Sequence, residues 1–388
     1  MMKNYQYLLV FFIVTIYGVD ADDFYFGTFP SDFNWGLTTS VYNASTDGNY
    51  TAIQKLYDDI QGLKELGVKT LKFSLDWSSN LDPATEQFYS LMIKELQNNG
   101  IEPHITLFDD EIPQTIQATG GWLQDSSINA ACDLAEKVFN LYDSKVKLWT
   151  TIADPVKLAT DMYSSRRDNS VYKAVHNMLL AHSCIYHRYN DAKLTGQIGI
   201  GLRGVWFEPE RVTEPFINDT LEKVFQFEIG WMLDPLINTG DYPKVMKDIL
   251  TDKLPEFTDI QKRSINGSAD FITVNYYETW LVTRDDFADN GAILKRNQMW
   301  KREDDPLTYM HPEGLRKLLK SLNERYTVDI YAELPDVNEI AAGVRDILRV
   351  ESIREHTHEV LKGMLESYLD NKAALCYILQ CKNLLFHD

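Results

Sequence analysis

Short β-rich runs and stretches of helical periodicity alternate along almost the whole chain, and this alternation restricts the fold more than any other feature. Ile53, Leu56, Ile60 and Leu63 share one helix face, Gly67 stops that helix, and Val68–Trp77 reads as a strand. Phe88, Leu91, Met92 and Glu95 mark the next helix, Gly100 ends it, and Ile101–Phe108 is strand again. A helix over 128–142 leads into Val146–Ile152. Further strands fall at Gln197–Trp206, Asp270–Tyr277, Val328–Glu333 and Ala373–Gln380, with a first at Phe33–Tyr42. Eight strands separated by helices predict an α/β fold of the (β/α)8 TIM-barrel kind, since a doubly wound sheet would typically have fewer strands and break at a switch point. Functional groups then belong at the carboxyl ends of the strands.

At 388 residues and 44% hydrophobic content the chain can bury one large core, and no linker or low-complexity segment divides it. One domain over 22–388 is the expectation. Lys3, the apolar Tyr7–Tyr17 and the small residues up to Ala21 read as a signal peptide over 1–21. That apolar run falls short of the roughly 20 residues a spanning helix needs, so a secreted protein without a membrane span is expected. The excess of 57 acidic over 38 basic residues, a net charge of -19, argues against nucleic acid or anionic membrane as partners. Sequons at Asn43, Asn49, Asn218 and Asn266 fit passage through a secretory compartment. Cys132, Cys184, Cys376 and Cys381 permit two disulfides, and with no CxxC or CxxH pair neither a metal site nor a cofactor is expected. Cys132 shares an apolar helix face with Ile128, Ala131, Ala135, Val138 and Phe139 and reads as a core thiol rather than half of a bridge. The last strand lies close to Asp388, so the barrel is expected to be incomplete at its C-terminal end, its usual final helix missing or replaced by the 382–388 tail.

The run Val146–Ile152 ends in Ala153-Asp154-Pro155 and thereby delivers a carboxylate at a strand end. It resembles the acid/base strand of glycoside hydrolase family 1, the β-glucosidases, in which the tripeptide is Asn-Glu-Pro. Ordered matches run along the chain: Phe29–Gly36 for the opening strand, Lys72–Trp77 for the second, and Gly120–Leu123 for the third loop. Ala174–His182 matches the fourth helix, Gly240–Pro243 and Asp270–Tyr277 the sixth unit, and Gly314–Leu319 the seventh helix. The resemblance implies the same barrel and, for an active member, two carboxylates about 5 to 5.5 Å apart, one the nucleophile and one the acid/base.

Carried onto this chain, the resemblance implies a degenerate site. Asp154 takes the acid/base position with a side chain one methylene shorter, and Ala153 replaces the asparagine. In ungapped register Leu334 takes the nucleophile position, so the nucleophile is expected to be lost. Glu333 is one residue off and, by alternation along a strand, expected to face away from the site unless a register shift restores it as a displaced nucleophile. The sugar-gripping run after the third strand is Phe108-Asp-Asp-Glu111, with Asp109 in place of its histidine. Asn43 corresponds to the sugar-binding glutamine and Lys72 to the arginine that steadies the nucleophile. Asn275 and Tyr277 match the inward pair of the sixth strand, read equally as ligand binding or as a polar plug. His176 and His182 read as buried helix-packing residues. With the nucleophile gone, Lys72 is expected to find a substitute anion among Asp154, Asp109 and Asp110.

Within the family, the wording of Phe73–Trp77, Trp206–Pro209, Gln226–Trp231 and Thr239–Pro243 resembles the degenerate second domain of the klotho branch. That likeness implies a secreted pseudo-glycosidase serving as ligand-binding protein or co-receptor, with a fibroblast growth factor or its receptor as partner. The competing reading is an active β-glucosidase hydrolysing O-glycosyl bonds, with a β-glycoside or glycan as ligand. Loss of nucleophile and sugar grip together favours binding over catalysis.

Overall fold

The computed structural model describes residues 29, 33–41, 50–77, 81–166, 168–286, 288–300, 311–334, 345–365 and 374–380. The expected signal segment over 1–21, Asn43, Asn49, Cys381 and the 382–388 tail lie outside them. Among the described residues nine strands form one sheet: β1 (Trp35–Val41), β2 (Thr70–Ser74), β3 (Glu102–Phe108), β4 (Leu148–Ile152), β5 (Gln197–Pro209), β6 (Phe271–Arg284), β7 (Ala292–Lys295), β8 (Asp329–Glu333) and β9 (Ala374–Gln380). All but β7 pair in parallel. Because β5 pairs with β6 and β9 returns to β1, those strands close into a ring, the TIM barrel expected from the alternation.

The longer helices are α1 (Tyr50–Glu65), α2 (Pro83–Asn98), α3 (Ser126–Tyr142), α4 (Pro155–Tyr163), α5 (Ser170–Asp191), α6 (Ile217–Phe225), α7 (Pro312–Arg325) and α8 (Arg345–Leu365). Gly67 and Gly100 follow α1 and α2 with φ of 78° and 71°, a left-handed stop that only glycine adopts without strain. Alternation then sorts each strand. On β2, Leu71 and Phe73 are core residues facing the helix layer, with Phe73 stacked on Tyr89 of α2 at 5.9 Å, while Thr70, Lys72 and Ser74 face the barrel interior. On β4, Trp149 meets Phe139 of α3 at 5.0 Å. The rings of His104, Phe271 and Tyr331 lie against one another inside the barrel at 4.7 to 6.0 Å and fill its lower part.

Two expectations change. Cys132 and Cys184 are disulfide-bonded, Cα to Cα 6.1 Å, tying α3 to α5. The apolar face of α3 that buries Cys132 is the face that meets α5, so burial and bridging were never alternatives. β5 and β6 also run past the expected ends at Trp206 and Tyr277 to Pro209 and Arg284, and β7 folds back on β6 as an antiparallel rim. Among the described residues no helix is long and apolar enough to cross a membrane.

Candidate active site at the barrel mouth

Register decides which side chains reach the interior. Glu333 pairs with Asn275 across β6 and β8, and both project inward. Lys72 Nζ donates to Glu333 Oε1; the two residues are 4% and 6% exposed, so this is a buried ion pair. With its amide nitrogen turned to Glu333, Asn275 Nδ2 lies 2.7 Å from Oε2 and 3.2 Å from Oε1, the orientation that matches a donor to acceptors. The expectation that Glu333 faces away is therefore wrong: Glu333 faces the interior, and Leu334, to which ungapped register gave the nucleophile position, packs in the hydrophobic core. Ile330, Ala332 and Leu334 belong to the hydrophobic core, which leaves Tyr331 and Glu333 for the interior. Nor does Lys72 use Asp154, Asp109 or Asp110. Asp109 accepts from Ser74 Oγ at 2.5 Å, Asp110 pairs with Lys157 at 3.0 Å, and Asp154 caps a helix.

Asp154 stands at the carboxyl end of β4 and is the N-cap of α4, with Pro155 at the first helical position. Its Oδ1 accepts from the Lys157 backbone N–H at 3.0 Å. Its Oδ2 is buried and has no hydrogen-bond partner among the described residues. Burial pushes the carboxyl up to about 6, opposed by the Lys157 N–H and by the charges of Arg203 and Lys157, and reinforced by Asp109. A carboxyl with that acidity and a free oxygen can hold a proton near neutral pH and release it to a bound group.

Tyr277, on β6 two residues beyond Asn275, is 40% exposed at the mouth. Burial of its hydroxyl, followed by the charges of Asp154, Glu333 and Asp109, pushes it up, while Arg203 opposes them. Among the described residues no hydrogen bond joins it to Glu333. The sequence reading missed Arg203, which β5 pairs with Asn275 and whose guanidinium lies 5.7 Å from the centre of the Tyr277 ring. The signal was present: Gly199, Gly201 and Arg203 share the inward face of β5, and Arg203 is the one charge on it. His176 and His182 lie in the helix layer as expected, hydrogen-bonded to Tyr242 Oη at 2.9 Å and Thr151 Oγ1 at 2.8 Å. Asn218 and Asn266 are exposed. Among the described residues no cluster of His, Cys, Asp and Glu is arranged to hold a metal ion.

The mouth thus holds one carboxylate ion-paired to an ammonium and one buried carboxyl with an unengaged oxygen, on strands three apart around a closed barrel. Known proteins show the same frame. The glycosyl hydrolase family 1 model matches residues 43–379. β-Glucosidase 28 of Arabidopsis thaliana is 29% identical over 421 residues, covering 90% of this chain and 72% of its own. β-Klotho of Mus musculus is also 29% identical, over 87% of this chain and 38% of its own. The solved structure of aphid myrosinase superposes with a TM-score of 0.80 at 25% identity, over 90% of this chain and 89% of its own. Matched over most of its length in sequence and built on the same barrel, the chain belongs to glycosyl hydrolase family 1.

Proposed function

We propose that the protein is a retaining β-glycoside hydrolase with Glu333 as nucleophile and Asp154 as acid/base. The observation that carries this reading is Glu333: it lies inside the barrel, ion-paired to Lys72 and within reach of the Asn275 amide, three strands around the ring from the buried Asp154. Finding two titratable groups in contrasting surroundings is how acid and nucleophile roles are told apart. The Glu333 carboxylate attacks the anomeric carbon while the Asp154 carboxyl protonates the departing oxygen. A covalent glycosyl-enzyme forms, and water, deprotonated by the Asp154 carboxylate, then releases the sugar. The short Asp154 side chain makes the acid reach less far, so turnover is slow.

Chromogenic 4-nitrophenyl β-D-glucoside and a 2-deoxy-2-fluoro β-glucoside test the reading. Turnover abolished by Glu333→Gln, and covalent labelling of Glu333, support it; an inert protein that takes up no label overturns it.

A second reading, a klotho-like binding protein with a growth factor or its receptor as partner, is favoured by the rim. There Asp109 and Asp110 replace the sugar grip and are engaged by Ser74 and Lys157. On either reading we place the protein outside the cell as a glycoprotein. The Cys132–Cys184 bridge suits an oxidising compartment, and the exposed Asn218 and Asn266 suit glycan attachment.

A further inference from the structure

Arg203 is a half-buried guanidinium that no described acceptor meets directly. It has no ion pair and no hydrogen bond among the described residues, and it lies over the face of Tyr277, 5.7 Å from the ring centre. An arginine carries its charge at every working pH and presents a planar fork of donors shaped for a carboxylate or a similar oxyanion. Leaving that fork half out of water without an acceptor costs free energy unless a ligand supplies one.

Its position says which part of a ligand it would meet. Two residues earlier on the same face of β5, Gly201 approaches β4 so closely that a Cβ there would fall 1.5 Å from the Ala153 carbonyl oxygen. Arg203 therefore rises beside the Ala153-Asp154 segment, on the side of the mouth where the leaving oxygen would take its proton. Lys72, bound to Glu333, serves the other side. The inward neighbours below Arg203 are Gly199 and Gly201, covered by the Phe271 ring and the Ala153 carbonyl, so the floor beneath it is closed and the guanidinium is left to the mouth. The nearby acids feel its charge without touching it: burial pushes Asp154 and Glu228 up, Arg203 opposes that in both, and neither forms an ion pair with it among the described residues.

We propose that Arg203 binds a carboxylate on the leaving-group side of the substrate, making the preferred substrates β-glycosides whose aglycone is acidic. The guanidinium forks onto the carboxylate while the Tyr277 ring backs the aglycone. This rests on the hydrolase reading for the word substrate, but the anion site itself does not need turnover.

The test uses a matched pair of glucosides, 4-carboxyphenyl β-D-glucoside and its methyl ester, which differ in the negative charge and one methyl group. Both are assayed with the wild-type protein and with Arg203→Gln and Arg203→Lys, each variant checked for a native thermal transition. Their binding to the Glu333→Gln protein, with and without Arg203→Gln, is measured by calorimetry. We expect the free acid to be preferred about tenfold or more, the range of one charge-assisted contact, with the preference collapsing in Arg203→Gln and partly kept in Arg203→Lys. Turnover of both glucosides without a preference that depends on Arg203 overturns the anion site and leaves the hydrolase reading intact. No turnover, but Arg203-dependent tighter binding of the acid, keeps the anion site and removes the hydrolase reading. Neither turnover nor selective binding of the acid overturns the inference.

Discussion

Asp154 combines two roles that pull in opposite directions. As the cap of α4 it accepts from Lys157, and as a buried carboxyl it carries a second oxygen with no partner among the described residues. Because burial raises its pKa from 3.8 to about 6, the folded state binds a proton that the unfolded chain has already released between those values. Stability therefore falls as pH rises from about 4 to about 6, and the whole penalty, about 3 kcal/mol, is present above that window. Asp154→Asn keeps a capping oxygen and loses the charge. Its melting temperature should exceed the wild type's at pH 7.5 and match it near pH 3.5; equal melting curves at both would show that the carboxyl is not strained by burial. By the same group, kcat/KM for a β-glucoside should decline above about pH 6 as the acid loses its proton. Lys72 and Glu333 make the converse case, a buried pair in which each charge depends on the other. Lys72→Met should cost about 3–5 kcal/mol, measured by chemical denaturation, and adding Glu333→Gln should recover part of the loss. An unaltered melt for Lys72→Met would refute the pair's role.

Elements bring these residues together through close approaches that glycine permits. A Cβ on Gly201 would meet the Ala153 carbonyl oxygen at 1.5 Å and its carbon at 2.3 Å, and both are backbone atoms that give way only if β4 and β5 separate. Gly201→Ala should destabilise by about 3 kcal/mol or more and disturb Asp154 with it. Gly62, inside α1 with open space for 4 Å around the point where a methyl would stand, is the control: Gly62→Ala should stabilise by about 0.5–1 kcal/mol. A similar small effect at both positions, in matched thermal melts, would discard the close-approach argument. Strand alternation carries the second lesson at this scale. Reading β8 by its own apolar residues, Ile330 and Ala332, turns Glu333 inward. Counting residues from a resembling motif turned it outward.

The molecule as a whole is a ring, and rings fail at their seam. β9 is the strand that joins β8 to β1, pairing with both. Ending the chain after residue 365 would leave two open parallel edges over the apolar core. We expect such a truncated protein to lose its cooperative thermal transition and to bind a dye for exposed apolar surface. A sharp transition at the wild-type temperature would mean that β9 contributes nothing to closure. The disulfide between α3 and α5 lies on the far side of this seam and does not substitute for it.

Periodicity alone was enough for the fold: every expected strand is present because a two-residue alternation flanked by helical repeats has few other ways to bury its apolar side. Asp154, Lys72, Asn275 and Tyr277 were legible because the strands they sit on or follow match the resembling family's motifs, with alternation placing Lys72, Asn275 and Tyr277 on interior faces. Tertiary structure alone decided who partners whom. Lys72 took Glu333 rather than an aspartate, Cys132 found Cys184, and Arg203 was left facing the mouth, because such pairings depend on distances across the ring between residues far apart in the chain. The register of β8 against β6 follows the same logic, since it is set by hydrogen bonds and core packing around a closed circle, and no local run of residues contains that information.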